Sequence, residues 1–173
     1  MIITSVTQKI ESLAVKLGFL YHFAEKYYID MVKKESMLAG IGVNDHILCI
    51  GGGCCPFSAI LFHRTTNAKV TVIDNNPKCV YMAQELVFRL GLDEKINVLL
   101  HNGCPSDIKK YSVIHLALQV DPIEQVISDV EYRMTPGTKL LIRRPKKHLC
   151  CMYSKFITHK FRNVGRTFMY TAQ

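Results

Sequence analysis

The run Gly51-Gly52-Gly53-Cys54-Cys55-Pro56 and the acid Asp74 carry the strongest chemical signal in this chain. Three glycines after an apolar strand remove the Cβ atoms that would hold a ligand away from the backbone. An acid at the end of the next strand can accept both hydrogen bonds of a ribose diol. Strand, glycine turn, helix and strand-end acid together make the pattern of a nucleotide-type site, whereas a glycine run alone would mark only a tight turn.

The residues also narrow the ligand. A dinucleotide fingerprint G-x-G-x-x-G needs a glycine where this chain has Pro56, which offers no N–H to a pyrophosphate. A phosphate-binding P-loop ends in Gly-Lys-Ser/Thr, and that run is missing from the sequence. S-adenosylmethionine has a ribose and an adenine but no phosphate, and it fits this loop best. The expected cofactor contacts therefore begin with Gly51, Gly52, Gly53, Cys54, Pro56 and Asp74.

Alternating strands and helices must position these residues. HILCI (46–50) reads as a short apolar strand, followed by the glycine turn and a helix to about His63. KVTVID (69–74) is a second strand; Asn76 and Pro77 supply an N-cap and first-turn proline for a helix that ends at Gly91. INVLL (96–100), YSVIHLAL (111–118) and TKLLIR (138–143) read as further strands. Asp121-Pro122-Ile123-Glu124 has the form of a capping box, residues 146–160 look helical, and VGRTFMYT (164–171) reads as one last strand. Before the core, the spacing of Ile10, Leu13, Ala14 and Leu17 predicts a first helix, and a second runs from about Tyr21 to Leu38. The expected fold is α/β: a Rossmann-like, doubly wound, mostly parallel sheet at 41–173 with a short N-terminal helical extension at 1–40.

On these stretches the chain resembles the class I S-adenosylmethionine-dependent methyltransferase superfamily, and within it is most similar to the nicotianamine synthase family. The matching segments are ILCIGGGCCPFSAI, VTVIDNNPKCVYMAQELV, VIHLALQV and EYRMTPGTKLLIRRP. The resemblance implies S-adenosylmethionine as cofactor, S-adenosylhomocysteine as product, and further contacts at Asn75, Asn102, Gly103 and Leu118. Where the family has an acid after the third strand, this chain has His101-Asn102-Gly103. Tyr28 and Glu35 resemble the family's tyrosine and glutamate seven apart. That spacing puts both on one helix face, so they are the expected catalytic pair. The competing expectation is a half-buried aromatic and a solvated acid.

Transfer of the methyl group to a small molecule is the common outcome of this fold and the first expectation. Transfer of the aminocarboxypropyl arm to an amine is the close alternative, followed by RNA methylation or cofactor binding without turnover. The acceptor is expected to carry an amine or a carboxylate.

Composition sets the remaining bounds. With 49% hydrophobic and 21% charged residues, the 173-residue chain has the make-up of one globular domain. The N-terminus lacks the layout of a signal peptide, and no apolar run suits a membrane span. The charge of +8 is uneven: residues 132–173 hold 10 Lys/Arg and no acid. This basic quarter suits polyanions, but it carries no base-reading motif, so nucleic acid is not the favoured partner. The seven cysteines are unsuited in spacing to a zinc site or a disulfide framework, so no metal is expected and reduced thiols in a cytoplasm are. His115 reads as a satisfied core histidine. A homodimer is expected because only one strand follows the fifth, which would leave a sheet edge open.

Overall fold

The computed structural model describes residues 18–143, 162–164 and 167–172. The expected helices over 10–17 and 146–160 lie outside them. Helix α1 (Gly18–Ala39) leads into β1 (His46–Ile50), α2 (Phe57–Thr66), β2 (Lys69–Asp74), α3 (Pro77–Arg89) and β3 (Ile96–Leu100). A 3-10 turn (Ile108–Lys110) precedes β4 (Val113–Leu116), α4 (Ile123–Arg133), β5 (Lys139–Arg143), β6 (Arg162–Val164) and β7 (Thr167–Thr171). Among the described residues no helix is long and apolar enough to cross a membrane.

The strands form one seven-stranded sheet in the order β3-β2-β1-β4-β5-β7-β6. The first five run parallel, while β7 pairs antiparallel with β5 and β6 with β7. This is the expected doubly wound architecture. The last stretch differs: it is two antiparallel strands rather than one, and β6 covers the edge of β7 whose exposure motivated a homodimer. The sequence pattern merged the two strands because only two residues, neither of them proline, separate Val164 from Thr167.

Alternate residues along each strand feed two apolar layers. Cys49, Val72, Val98 and Leu141 pack with Val32 and Phe62 on the face shared by α1, α2 and α3. Leu48, Ile114, Leu140 and Ile142 pack with Val126, Val130 and Phe168 on the α4 face. Each fully buried aliphatic side chain contributes about 1.5–3 kcal/mol. Asn76 caps α3 as the sequence predicts, accepting from the Lys78 and Cys79 amides. The expected capping box at 121–124 does not form: α4 starts at Ile123 with Pro122 in the cap position and no side-chain cap bond.

Candidate functional site

The β1–α2 turn is shaped first by the chain's own packing. The Gly51 and Gly52 amides donate to the Ile73 carbonyl at 2.9 and 3.2 Å, which folds the turn back over the end of β2. Gly51 has φ +80°, and a Cβ there would lie 2.6 Å from Val120 Cγ2. A Cβ on Gly52 would lie 2.1 Å from Val72 Cγ1. Both positions need glycine before any ligand arrives.

Asp74 is held by the same turn. The Gly53 amide donates to its Oδ2 at 2.8 Å, and the Asn76 amide donates to its Oδ1 at 2.9 Å. Each oxygen keeps acceptor capacity, because a carboxylate offers about four lone-pair sites. The acid is thereby fixed at the cavity wall with hydrogen-bonding capacity to spare.

Cys54 is joined to Cys79 by a disulfide that links this turn to the first turn of α3. The expectation of reduced thiols is corrected here. Two βα turns that leave neighbouring parallel strands meet at the same sheet end, a proximity that cysteine spacing along the chain does not reveal. Cys49, Cys55 and Cys104 are buried, as small core residues; Cys150 and Cys151 lie outside the described residues.

A cavity of about 910 Å³ runs along the carboxyl ends of the strands, within the usual range for small-molecule sites. Gly51, Gly52, Gly53, Pro56, Asp74 and Asn75 line one stretch of it. Asn102, Gly103 and Leu118 line the next, beside Asp129 and Arg133. Those last two form an ion pair at 2.9 Å, and Arg133 also donates to the Cys104 carbonyl at 3.4 Å. Cys54, tied up in its disulfide, is not among the lining residues, whereas Cys55 is.

At the other end α1 closes the cavity. Tyr28 lines it and stacks on Phe57 at 5.9 Å, with the Arg143 guanidinium 5.5 Å from its ring centre. Glu35 is not solvated; it is 1% exposed and lies behind Arg143. Arg143 Nε and Nη2 donate to Glu35 Oε1 and Oε2 at 2.8 and 2.7 Å, and Thr167 Oγ1 donates to Oε1 at 2.7 Å. Arg143 Nη1 donates to Ser58 Oγ at 2.6 Å. Burial pushes the Glu35 carboxyl up, but Arg143 outweighs it and the net direction is down. Tyr28 and Glu35 thus belong to one cluster, but only Tyr28 reaches the cavity wall.

His115 completes the cluster. It is buried, lines the cavity, and its Nε2 has no hydrogen-bond partner, with Glu35 Oε2 3.9 Å away. The expected satisfied core histidine is buried but not satisfied. Burial, reinforced by the Arg143 charge, pushes its pKa down to about 3, so the ring is neutral. Its register partner Cys49 is driven up to about 12 by burial and stays a thiol. Ser58, Thr167 and the pairing of Arg143 with Glu35 went unread in sequence. One signal was present: Arg143 shares its strand face with Leu141, two positions earlier, so its charge had to point into the structure. Among the described residues no three His, Cys, Asp or Glu side chains are grouped to hold a metal ion.

Comparison with known proteins bears on this arrangement. No family model matches the chain. L-histidine 2-aminobutanoyltransferase of Yersinia pestis is 26% identical over 112 residues, covering 65% of this chain and 42% of that protein. The chain thus matches less than half the length of that relative. Among solved structures, a glutamate-to-glutamine variant of the nicotianamine synthase MtNAS in complex with S-adenosylmethionine superposes with TM-score 0.83 at 17% identity. It covers 98% of this chain and 75% of its own. An RNA methyltransferase from Salinibacter ruber in complex with S-adenosyl-L-homocysteine superposes with TM-score 0.65 at 18% identity, covering 82% of this chain and 90% of its own. The fold is that of the class I methyltransferases, and its likeness to nicotianamine synthase takes in α1 as well as the sheet.

Proposed function

We propose that this chain binds S-adenosylmethionine and transfers its aminocarboxypropyl arm to the amine of a small acceptor. The observation that carries the reading is the single cavity running from Asp74, beside the glycine turn, to Tyr28 on α1. Asp74 is oriented to accept from a ribose diol, with Asn75 beside it. Asn102, Gly103 and Leu118 line the stretch where an adenine would lie, and Asp129 adds an acceptor for its amine. Gly51–Gly53 and Pro56 shape the turn that the methionine arm would cross.

The sulfonium of bound S-adenosylmethionine activates each of its three attached carbons toward a nucleophile. Positioning selects the carbon that reacts. An amine that forms a C–N bond to the arm sends the C–S electron pair to sulfur, releases methylthioadenosine, and loses a proton to solvent. Tyr28 on the cavity wall is the residue placed to orient that amine. The wide match to a nicotianamine synthase and the match to an aminobutanoyltransferase favour this reaction. Methyl transfer to a small molecule is the second reading, favoured by the Salinibacter ruber enzyme, most of whose length this chain covers.

The adenosine product decides between them. Incubation with S-adenosylmethionine and a panel of amino acids and polyamines is expected to release methylthioadenosine, measured by mass spectrometry. S-adenosylhomocysteine as product supports methyl transfer, and binding without either product supports a cofactor sensor.

A further inference from the structure

The closed end of the cavity is built from donors and neutral groups. Arg143 has five N–H groups, and three are used, two on Glu35 and one on Ser58. Among the described residues nothing takes the second N–H on Nη1 or on Nη2, which together are enough for a two-point contact. Ser58 Oγ accepts from Arg143, so its own hydrogen is available to donate. His115, which lines the cavity, brings an unpartnered Nε2 that is 99% buried and 3.9 Å from Glu35 Oε2.

Among the described residues no free acceptor of matching strength bonds to these donors. Both Glu35 oxygens are engaged, and the Cys49 thiol keeps its proton. An ammonium would meet donors only. A planar monoanion matches a guanidinium that keeps one N–H on each Nη. A phosphate dianion would be under-compensated, since Glu35 already offsets the arginine charge.

We infer that Arg143, Ser58 and His115 form a docking site for the carboxylate of an α-amino acid. That carboxylate belongs either to the acceptor or to the methionine arm of S-adenosylmethionine. The inference deepens the proposed transfer reaction and rests on it for these two sources. Glu35 is then a positioning residue, which sets the plane of the guanidinium.

The test follows the ¹⁵N signals of the Arg143 guanidinium and the His115 ring, assigned by their loss in Arg143→Lys and His115→Asn. Two pairs of probes differ in the carboxylate: L-histidine against histamine, and S-adenosylmethionine against its decarboxylated form. The carboxylate-bearing member of at least one pair is expected to shift both signals, and its counterpart to leave them in place. Ser58→Ala is expected to weaken that member's binding about tenfold and to spare the counterpart. A response to L-histidine assigns the site to the acceptor, and a response to S-adenosylmethionine assigns it to the arm. Signals that stay still with both carboxylates, or move equally with the carboxylate-free probes, overturn the inference even if S-adenosylmethionine binds. Conversely, a response to L-histidine in a protein that ignores both adenosine compounds supports the carboxylate site and sinks the transfer reaction.

Discussion

Glu35 and Arg143, separated by 108 positions in sequence, form a buried two-point ion pair at 2.8 and 2.7 Å. The pair joins the helix that precedes the core to the fifth strand, and Thr167, directly across from Arg143 in the sheet, adds a third bond. Taking two charges out of water is costly, and the cost is offset only when the remaining polar atoms are satisfied. Here Thr167 and Ser58 do that. Glu35 is consequently a poor proton acceptor.

Removing one partner should cost more than removing both. Glu35→Gln leaves the Arg143 charge uncompensated and is expected to lower stability by about 3–5 kcal/mol. Glu35→Leu combined with Arg143→Met replaces the pair with apolar groups of similar size and should lose less than either single change. Urea unfolding of Glu35→Leu, Arg143→Met and the double variant checks this. A double variant weakened by the sum of the singles would show that the two side chains act independently.

Gly52→Ala should destabilise through Val72. The added Cβ would sit 2.1 Å from Val72 Cγ1, and overpacking of this kind costs about 1–3 kcal/mol. Val72→Ala alone leaves a cavity and also destabilises. Combined, the two changes should recover part of the loss, read as a non-additive unfolding free energy. Strict additivity would mean that Gly52 is required for some other reason.

These contacts mark where sequence reading stopped. β1, β2 and β3 were legible to the residue because each is an unbroken apolar or β-branched run between turn signals. The α3 cap was legible because Asn76 and Pro77 act on their own neighbours. The Cys54–Cys79 bond, the Glu35 pair and the unpartnered His115 nitrogen were not, because each depends on which strands end side by side. The final strand pair fell between these cases: 164–171 read as one strand, Arg162 and Asn163 stayed outside it, and the break at Gly165 was read through.

Asp74→Asn should weaken S-adenosylhomocysteine binding by about 1.5–3 kcal/mol, the worth of hydrogen bonds to a charged group. The side chain keeps its size but only one acceptor oxygen for the two amides and the ligand. Calorimetry should show the loss as enthalpy, with the fold retained by circular dichroism. Affinity equal to that of the natural protein would remove Asp74 from the ribose site.

The disulfide spans a sequence separation of 25, for which chain-entropy reasoning gives about 3 kcal/mol. Replacing both Cys54 and Cys79 with serine should lower the unfolding free energy toward that extent, and adding a thiol reductant to the natural protein should do the same. A midpoint insensitive to both would mean that the bond contributes nothing to stability.

His115 should make the protein acid-sensitive well above the carboxylate range. Its folded pKa of about 3 lies below its ordinary value of 6.5. Between those two pH values the unfolded chain binds a proton that the folded chain refuses, so stability rises with pH and is lost as pH falls below 6.5. The full slope is about 1.4 kcal/mol per pH unit, which gives about 1 kcal/mol between pH 6.5 and 5.5, where the unfolded histidine is only becoming protonated. Glu35 works in a separate window. Its pKa is lowered from 4.5, so its contribution is complete above that pH and fades only below it. His46, also lowered by burial, is present in both proteins compared and cancels. Urea unfolding of the natural protein and of His115→Asn at pH 6.5 and 5.5 therefore isolates one group. The natural protein should lose about 1 kcal/mol more than the variant over that interval. Parallel losses would mean that the imidazole takes up a proton in the folded state and that the buried cluster tolerates a second cation beside Arg143.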